Sequence, residues 1–337
     1  MLRHRILGVL TIGVIFVGYA RQAEASAMTL TAAGTAQGLV LSTFASGYAN
    51  TGTNGVGPIS FVNVPGGGGA VLTSGYIDQK IIRYSADTDG QTVSANGVAS
   101  TSTYPAITGL TTINGNIYAT SQASNSVFRI DSNGNFVGTL ATGITDGTGL
   151  AASALTGLIY ASNPGGSGGT GIYAINPISG AKTTFKSGAY DGLSVTTDGT
   201  EIFAMSESND HIYGYNLTTG AQFFDSGFIN GADGALVANL AGTPVLFVNT
   251  NFGELWEVAL SNSGQTLIAS GGSRGDLAAL DTSNNTAIFS QTSSFVRLAL
   301  PSGSTFGTSD SAAVPEPASL ALFGIGLLGI ARARRRR

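Results

Sequence analysis

Four aspartates, Asp146, Asp191, Asp233 and Asp276, stand 45, 42 and 43 residues apart, within the phrases DGTGL, DGLSV, DGALV and GDLAAL. Carboxylates returning at one step are brought together if the units that carry them are arranged around an axis. Four of them converging on one opening could hold Ca²⁺, which takes six to eight oxygen ligands. Asn163, Asn209 and Asn249, each near the end of an apolar run, could add oxygens. The same repetition also suits a turn-forming role, in which each aspartate accepts backbone N–H bonds where the chain enters its own unit. A structural need recurs once per unit, whereas a catalytic site does not. Both readings predict the same sequence.

Other chemistries have fewer residues to draw on. There is no cysteine, so neither a disulfide framework nor a thiolate metal site exists. His211 is the only histidine outside the first 25 residues, which rules out a histidine-rich zinc site. It stands among Ile212, Tyr213 and Tyr215 in a strand-like run, a poor place for the base of a Ser-His-Asp triad. The glycine-rich run Gly165–Gly169 lacks the Lys-Ser/Thr that a phosphate loop requires. Trp256 reads as packing between units, with sugar stacking as the other use of its ring. Tyr118, Tyr160, Tyr173 and Tyr213 fall at what reads as one repeat position, a core signature.

A period in the forties is the length of one four-stranded propeller blade. Composition agrees: 42% hydrophobic, 10% charged and 49 glycines in 337 residues suit many short strands joined by tight turns. The first unit opens near Gly57 and Pro58, with strands expected at Ala70–Ser74, Lys80–Ser85 and Thr92–Ala95 and a hairpin turn at Asp89 and Gly90. The second opens at Ala106, and the third, fourth and fifth follow the Asp-Gly phrases. The sixth, from Asp276, offers only three strands. Its missing outer strand is found near the N-terminus, where LSTFASG from Leu41 is similar to TTFKSG from Thr183. The sequence therefore predicts an all-β, six-bladed β-propeller over residues 38–302, closed by an N-terminal strand that removes two sheet edges. Residues 303–313 read as a featureless linker.

The two ends carry addresses. Arg3 and Arg5, an apolar run from Ile6 to Ala20 and small residues at Ala23, Ala25 and Ala27 read as a signal peptide over residues 1–27. At the other end Pro315, Glu316 and Pro317 precede the apolar Ala318–Ala331, and Arg334, Arg335, Arg336 and Arg337 finish the chain. Fourteen helical residues span roughly 21 Å, short of a ~30 Å hydrocarbon core, and the arginines hold their end on the cytoplasmic side. This ending, residues 314–337, resembles the PEP-CTERM sorting signal of Gram-negative bacteria. The resemblance implies recognition by an exosortase, a transient stay in the inner membrane through a short transmembrane helix, and delivery to the cell surface or exopolysaccharide matrix. Eight of the fifteen basic residues lie in these terminal segments; without them and Glu24 and Glu316, the body carries about −10. That balance, with no basic stripe, excludes nucleic acid as a partner.

The repeat style is similar to NHL-type and regucalcin/gluconolactonase-type six-bladed propellers. The lactonases are marked by a metal-binding glutamate before a Gly-Pro in the first blade; here Val56 precedes Gly57 and Pro58. The phrase Asp191, Gly192, Leu193 looks like the one that carries a catalytic aspartate in that family. The sequence thus predicts a non-catalytic surface or matrix protein that engages polysaccharide or an envelope protein. The alternative is a metal-dependent lactonase or hydrolase with Asp191 as base or ligand. No cofactor is established by the residues; calcium is the candidate.

Overall fold

The structure is a computed structural model and describes residues 27–309 except 166–169 and 207. The expected signal peptide up to residue 26, the sorting segment, the last four residues of the expected linker and most of the Gly165–Gly169 run lie outside the described residues. Among the described residues no helix is long and apolar enough to cross a membrane.

Apolar residues alternate along short runs bounded by turn residues, so each run buries one or both faces as a strand. Six sheets result, antiparallel but for one short parallel pairing. Blade 1 comprises Phe61–Asn63, Val71–Gly75, Lys80–Tyr84 and Val98–Ala99. Blade 2 holds Ile107–Ile113, Asn116–Ser121, Ser126–Ile130 and Phe136–Thr142. Blade 3 holds Leu150–Ser153, Leu158–Asn163, Gly171–Ile175 and Lys182–Ser187. Blade 4 follows with Tyr190–Val195, Glu201–Ser206, His211–Asn216 and Gln222–Asp225. Blade 5 has Ala232–Leu240, Thr243–Thr250, Leu255–Ala259 and Gln265–Ser270. Blade 6 has Ala278–Asp281, Thr286–Gln291, Ser294–Ala299 and, from the N-terminus, Val40–Ser46.

The core is six cores. Each buried cluster fills the gap between two neighbouring blades, from Ile81 and Phe128 between blades 1 and 2 round to Phe44, Phe61 and Phe295 between blades 6 and 1. Such a ring stands only if every gap is closed, and the closing strand is what closes the last. Val40–Ser46 pairs antiparallel with Ser294–Ala299, Leu41 opposite Leu298. Phe44 is fully buried there, edge-on to Phe61 and Tyr84 at 5.5 and 5.8 Å, with the Arg297 guanidinium over its ring at 4.9 Å. Arg297 in turn donates to Asp89 at 2.7 Å, to Asp281 at 3.0 Å and to Asp87.

Four expectations need correction. Thr92–Ala95 is not a strand. Gln91–Thr92 pairs parallel with the closing strand, Thr92 then caps the one-turn helix Val93–Asn96 by accepting from Ala95 N–H, and Val98–Ala99 is the outer strand. Asp89 and Gly90 accordingly form no hairpin; Asp89 is spent on Arg297. Residues 303–309 are no featureless linker: Thr305–Phe306 pairs with the free edge of the inner strand of blade 5, and Phe306 is 3% exposed against Phe247. The tyrosines occupy two positions, not one, since Tyr118 and Tyr160 lie on second strands and are buried while Tyr173 and Tyr213 lie on third strands and are half-buried. One addition was not foreseen: Thr29–Leu30 extends the outer edge of blade 5 beside Ser270 and Ala269.

Candidate binding site at the channel mouth

The six inner strands start at one face of the disc, and the residue two positions before the first inward apolar residue sets the ring there. Blade by blade it is Ile59, Thr108, Thr148, Asp191, Asp233 and Asp276, and all six line one small cavity of about 60 Å³. The residue that follows is glycine in blades 2 to 5 for a steric reason. A Cβ at Gly192 would lie 2.3 Å from the Asp233 carbonyl oxygen, and one at Gly149 would lie 2.4 Å from that of Asp191. Inner strands therefore pass each other at backbone contact in the neck. In blades 4 and 5 the Asp-Gly phrase is one residue for the mouth and one for the neck.

This register corrects the aspartate ring. Three members, Asp191, Asp233 and Asp276, share the mouth; the blade 3 counterpart is Thr148, and Asp146 sits two residues earlier in a turn with φ +56°, its N–H donating to Asn125 Oδ1. Thr148 Oγ1 lies 3.0 Å from Ser162 Oγ, and Thr108 Oγ1 donates to the Gly147 carbonyl at 2.7 Å. The three asparagines do not join the mouth: Asn163 and Asn249 are fully buried, and Asn209 donates to the Tyr213 hydroxyl. Asn249 Nδ2 instead bridges blades, donating to the Leu277 and Ser290 carbonyls at 3.3 and 3.0 Å. Asx turn capping is visible elsewhere, at Asp131, Asp198, Asn176 and Asn216, whose side-chain oxygens accept N–H groups two to four residues on.

The residue that the sequence reading missed is Arg274. Its Nε donates to Asp276 Oδ1 at 2.5 Å, and it lines the same cavity as Asp191 and Asp233. Burial works against its charge, but the carboxylates of Asp276, Asp233 and Asp191 outweigh burial and hold the guanidinium more firmly protonated than usual. Burial pushes the Asp276 carboxyl up, with Arg274 and a hydrogen bond with Asp233 pulling the other way. Only its position two residues before Asp276 could have drawn attention to this arginine, since no other unit has a basic residue there. Val56, Tyr76 and Gln122 line the same cavity, with the Tyr76 hydroxyl donating to Gln122 Oε1 at 2.8 Å.

A guanidinium stands among the three carboxylates of the mouth, and among the described residues no group of three His, Cys, Asp or Glu side chains is placed to hold a metal ion. At the opposite face the channel widens to a cavity of about 690 Å³, lined without a single charged side chain. His211 is remote from the neck and pairs with Asp225 at 2.7 Å on the outer strands of blade 4. Trp256 packs beside the core between blades 4 and 5 and donates to Glu254.

Residues 313–337 match the PEP-CTERM protein-sorting motif. The chain ends in a PEP-CTERM tail. That motif marks it for export and for recognition by an exosortase. No curated protein sequence aligns significantly with the chain. Among solved structures the body is similar to a gluconolactonase from Xanthomonas campestris, with a TM-score of 0.62, 14% identity, 83% of this chain and 97% of the other covered. It is also similar to an auxiliary nutrient binding protein from Bacteroides ovatus, with a TM-score of 0.57, 11% identity and 78% and 77% covered. At these identities the likeness is one of fold: the body ahead of the PEP-CTERM tail is a six-bladed propeller of the kind found in gluconolactonases.

Proposed function

We propose that this is an exported, non-catalytic β-propeller, working at the cell surface or in the exopolysaccharide matrix as a binding or structural component. It meets polysaccharide or an envelope protein through the face that carries Asp191, Asp233 and Asp276. The observation that carries this reading is Arg274, which supplies among those carboxylates the positive charge that a lactonase draws from its metal. The neck supports it, because about 60 Å³ is far below the ~300 Å³ at which ligand pockets begin. A ligand therefore rests on the rim.

A second reading, a metal-dependent lactonase with Asp191 as base or ligand, draws support from the three aspartates at one mouth of a gluconolactonase-like fold. One experiment separates the two. The full chain in detergent is given glucono-1,5-lactone with and without added Ca²⁺, and its melting temperature is followed in parallel. Absence of turnover and of a calcium-dependent shift is the expected outcome. Lactone hydrolysis that Asp191→Ala abolishes would replace the binding reading with the enzymatic one.

A further inference from the structure

The face that carries the aspartate mouth also carries two phenylalanines left out of every core. Phe228 lies in the connection from blade 4 to blade 5, and Phe252 in the turn between the second and third strands of blade 5; each is 60% exposed. Their segments and the Arg274 loop form one continuous rim. The Asn251 N–H donates to the Gly231 carbonyl at 2.8 Å, the Gly272 N–H to that of Gly253 at 3.0 Å, and the Gly275 N–H to that of Thr250 at 3.2 Å. Phe252 is also braced. A Cβ at Gly231, where φ is +65°, would stand 2.6 Å from its Cε2 and 2.8 Å from its Cδ2, so the ring rests on bare backbone while the rest of it faces solvent. A ring held in this way loses little freedom when something stacks on it.

We propose that Phe228, Phe252 and the adjoining Arg274 rim form a stacking site for a neutral glycan chain, which rests on the binding reading of this face. A pyranose offers an apolar C–H face to a ring and hydroxyls at its edge to carboxylates and a guanidinium, and this rim presents both. The alternatives fit less well. A stable protein interface needs roughly 800 Å² per partner, and the only other large apolar side chain exposed on this face among the described residues is Ile77, on blade 1. An anionic glycan would meet Asp191, Asp210, Asp225 and Asp276, against an Arg274 already paired with Asp276 and a His211 already paired with Asp225. That balance repels it.

The test uses the full chain in an amine-oxide detergent, whose headgroup contains no sugar. Its migration is followed through native gels containing laminarin, a neutral β-glucan, galactomannan or polyanionic alginate. Titrations read Trp256, the one tryptophan in the chain, whose indole donates to Glu254 in the Phe252 turn. The neutral polymers should retard the protein and alginate should not. Phe228→Ala and Phe252→Ala should each weaken binding about five- to tenfold with the melting temperature unchanged, and Phe252→Tyr should retain it. Retardation by neither neutral polymer, or equal retardation by alginate, would overturn the proposal. Alanine variants that bind like the parent would also overturn it, while leaving the binding reading intact, since the glycan would then sit elsewhere. That reading falls on lactone turnover, which these gels do not measure.

Discussion

At Arg274 the mouth depends on one charge. Replacing it by alanine leaves Asp276, whose side chain is 9% exposed, and Asp233, 3% exposed, without a cation between them. Loss of about 1–3 kcal/mol follows from stranding buried acceptors, measurable by urea unfolding. In that variant added Ca²⁺ should raise the melting temperature, whereas in the parent chain it should not; a parent shift as large would show that Arg274 does not stand in for a cation. The neighbouring glycine is a different matter. Gly192→Ala places a methyl group 2.3 Å from the Asp233 carbonyl oxygen, and that backbone cannot move without moving blade 5, so the cost is about 1–3 kcal/mol or more. Asp191→Asn, which adds no atom to the neck, should cost less. The order of these two in thermal melts tells whether the Asp-Gly phrase is kept for its neck or for its mouth.

Strands that arrive from far along the chain decide whether the ring is closed. Phe44, fully buried between blades 6 and 1, belongs to a strand more than 240 residues from its partner Ser294–Ala299. Phe44→Ala should cost about 3–5 kcal/mol and, because it opens the last gap, should raise the unfolding rate more than an equal truncation on a blade surface. At the other end Phe306 packs between blades 5 and 6, and Gly307 ties them to blade 4: its N–H donates to the Val237 carbonyl and its carbonyl accepts from Thr197, both at 2.7 Å. A chain ending at residue 302 should therefore melt at a lower temperature than one ending at 309, and equal melting would show that the segment rides on the propeller without supporting it. Period and alternation made the blades readable, because each strand's apolar pattern is local. Thr305–Phe306 was unreadable, because two residues in a Ser/Gly/Thr stretch acquire strand character only from the edge they meet.

Ring closure also sets how the whole molecule responds to acid. Asp281 is buried, which disfavours its charge, yet hydrogen bonds from Asp87, Ser283, Asn63 and Asn284 bring its carboxyl down to about 2. A carboxyl lower in the folded than in the unfolded chain, where it lies near 3.9, adds stability above that value and loses it as pH falls toward 2. Asp87 is raised by burial, Asp281 adding to the shift while Ser283 and Arg297 oppose it, so it works in the opposite sense, favouring the fold as it takes up a proton. Asp281→Asn should lower the melting temperature at pH 7 and flatten its decline between about pH 4 and 2; an unchanged acid limb would remove this network from the account. The disc is polarised as well. Ser309, the last described residue, donates to Glu201 at the face opposite the aspartate mouth, so the described chain ends on the side away from the proposed binding face.

By itself the sequence determined the blade count, the strand that closes the ring and the export address, because none of the three needs a tertiary contact to be read: a step of 42 to 45 residues, an LSTFASG that copies the end of another unit, and Pro315–Pro317 followed by an apolar run and arginines. Its repeat also brought Asp191, Asp233 and Asp276 to one mouth, where three of the four aspartates of the series stand. Tertiary structure alone decided the rest. Asp146 reads as a member of the series but lies two residues out of register, which only the pairing of Leu150 with Ala161 reveals. Arg274 gives no repeating signal, and its importance comes from three carboxylates that reach it from two other blades and its own. Phe228 and Phe252 carry no mark of their exposure in the sequence, because exposure is a property of what surrounds a side chain and not of the side chain itself.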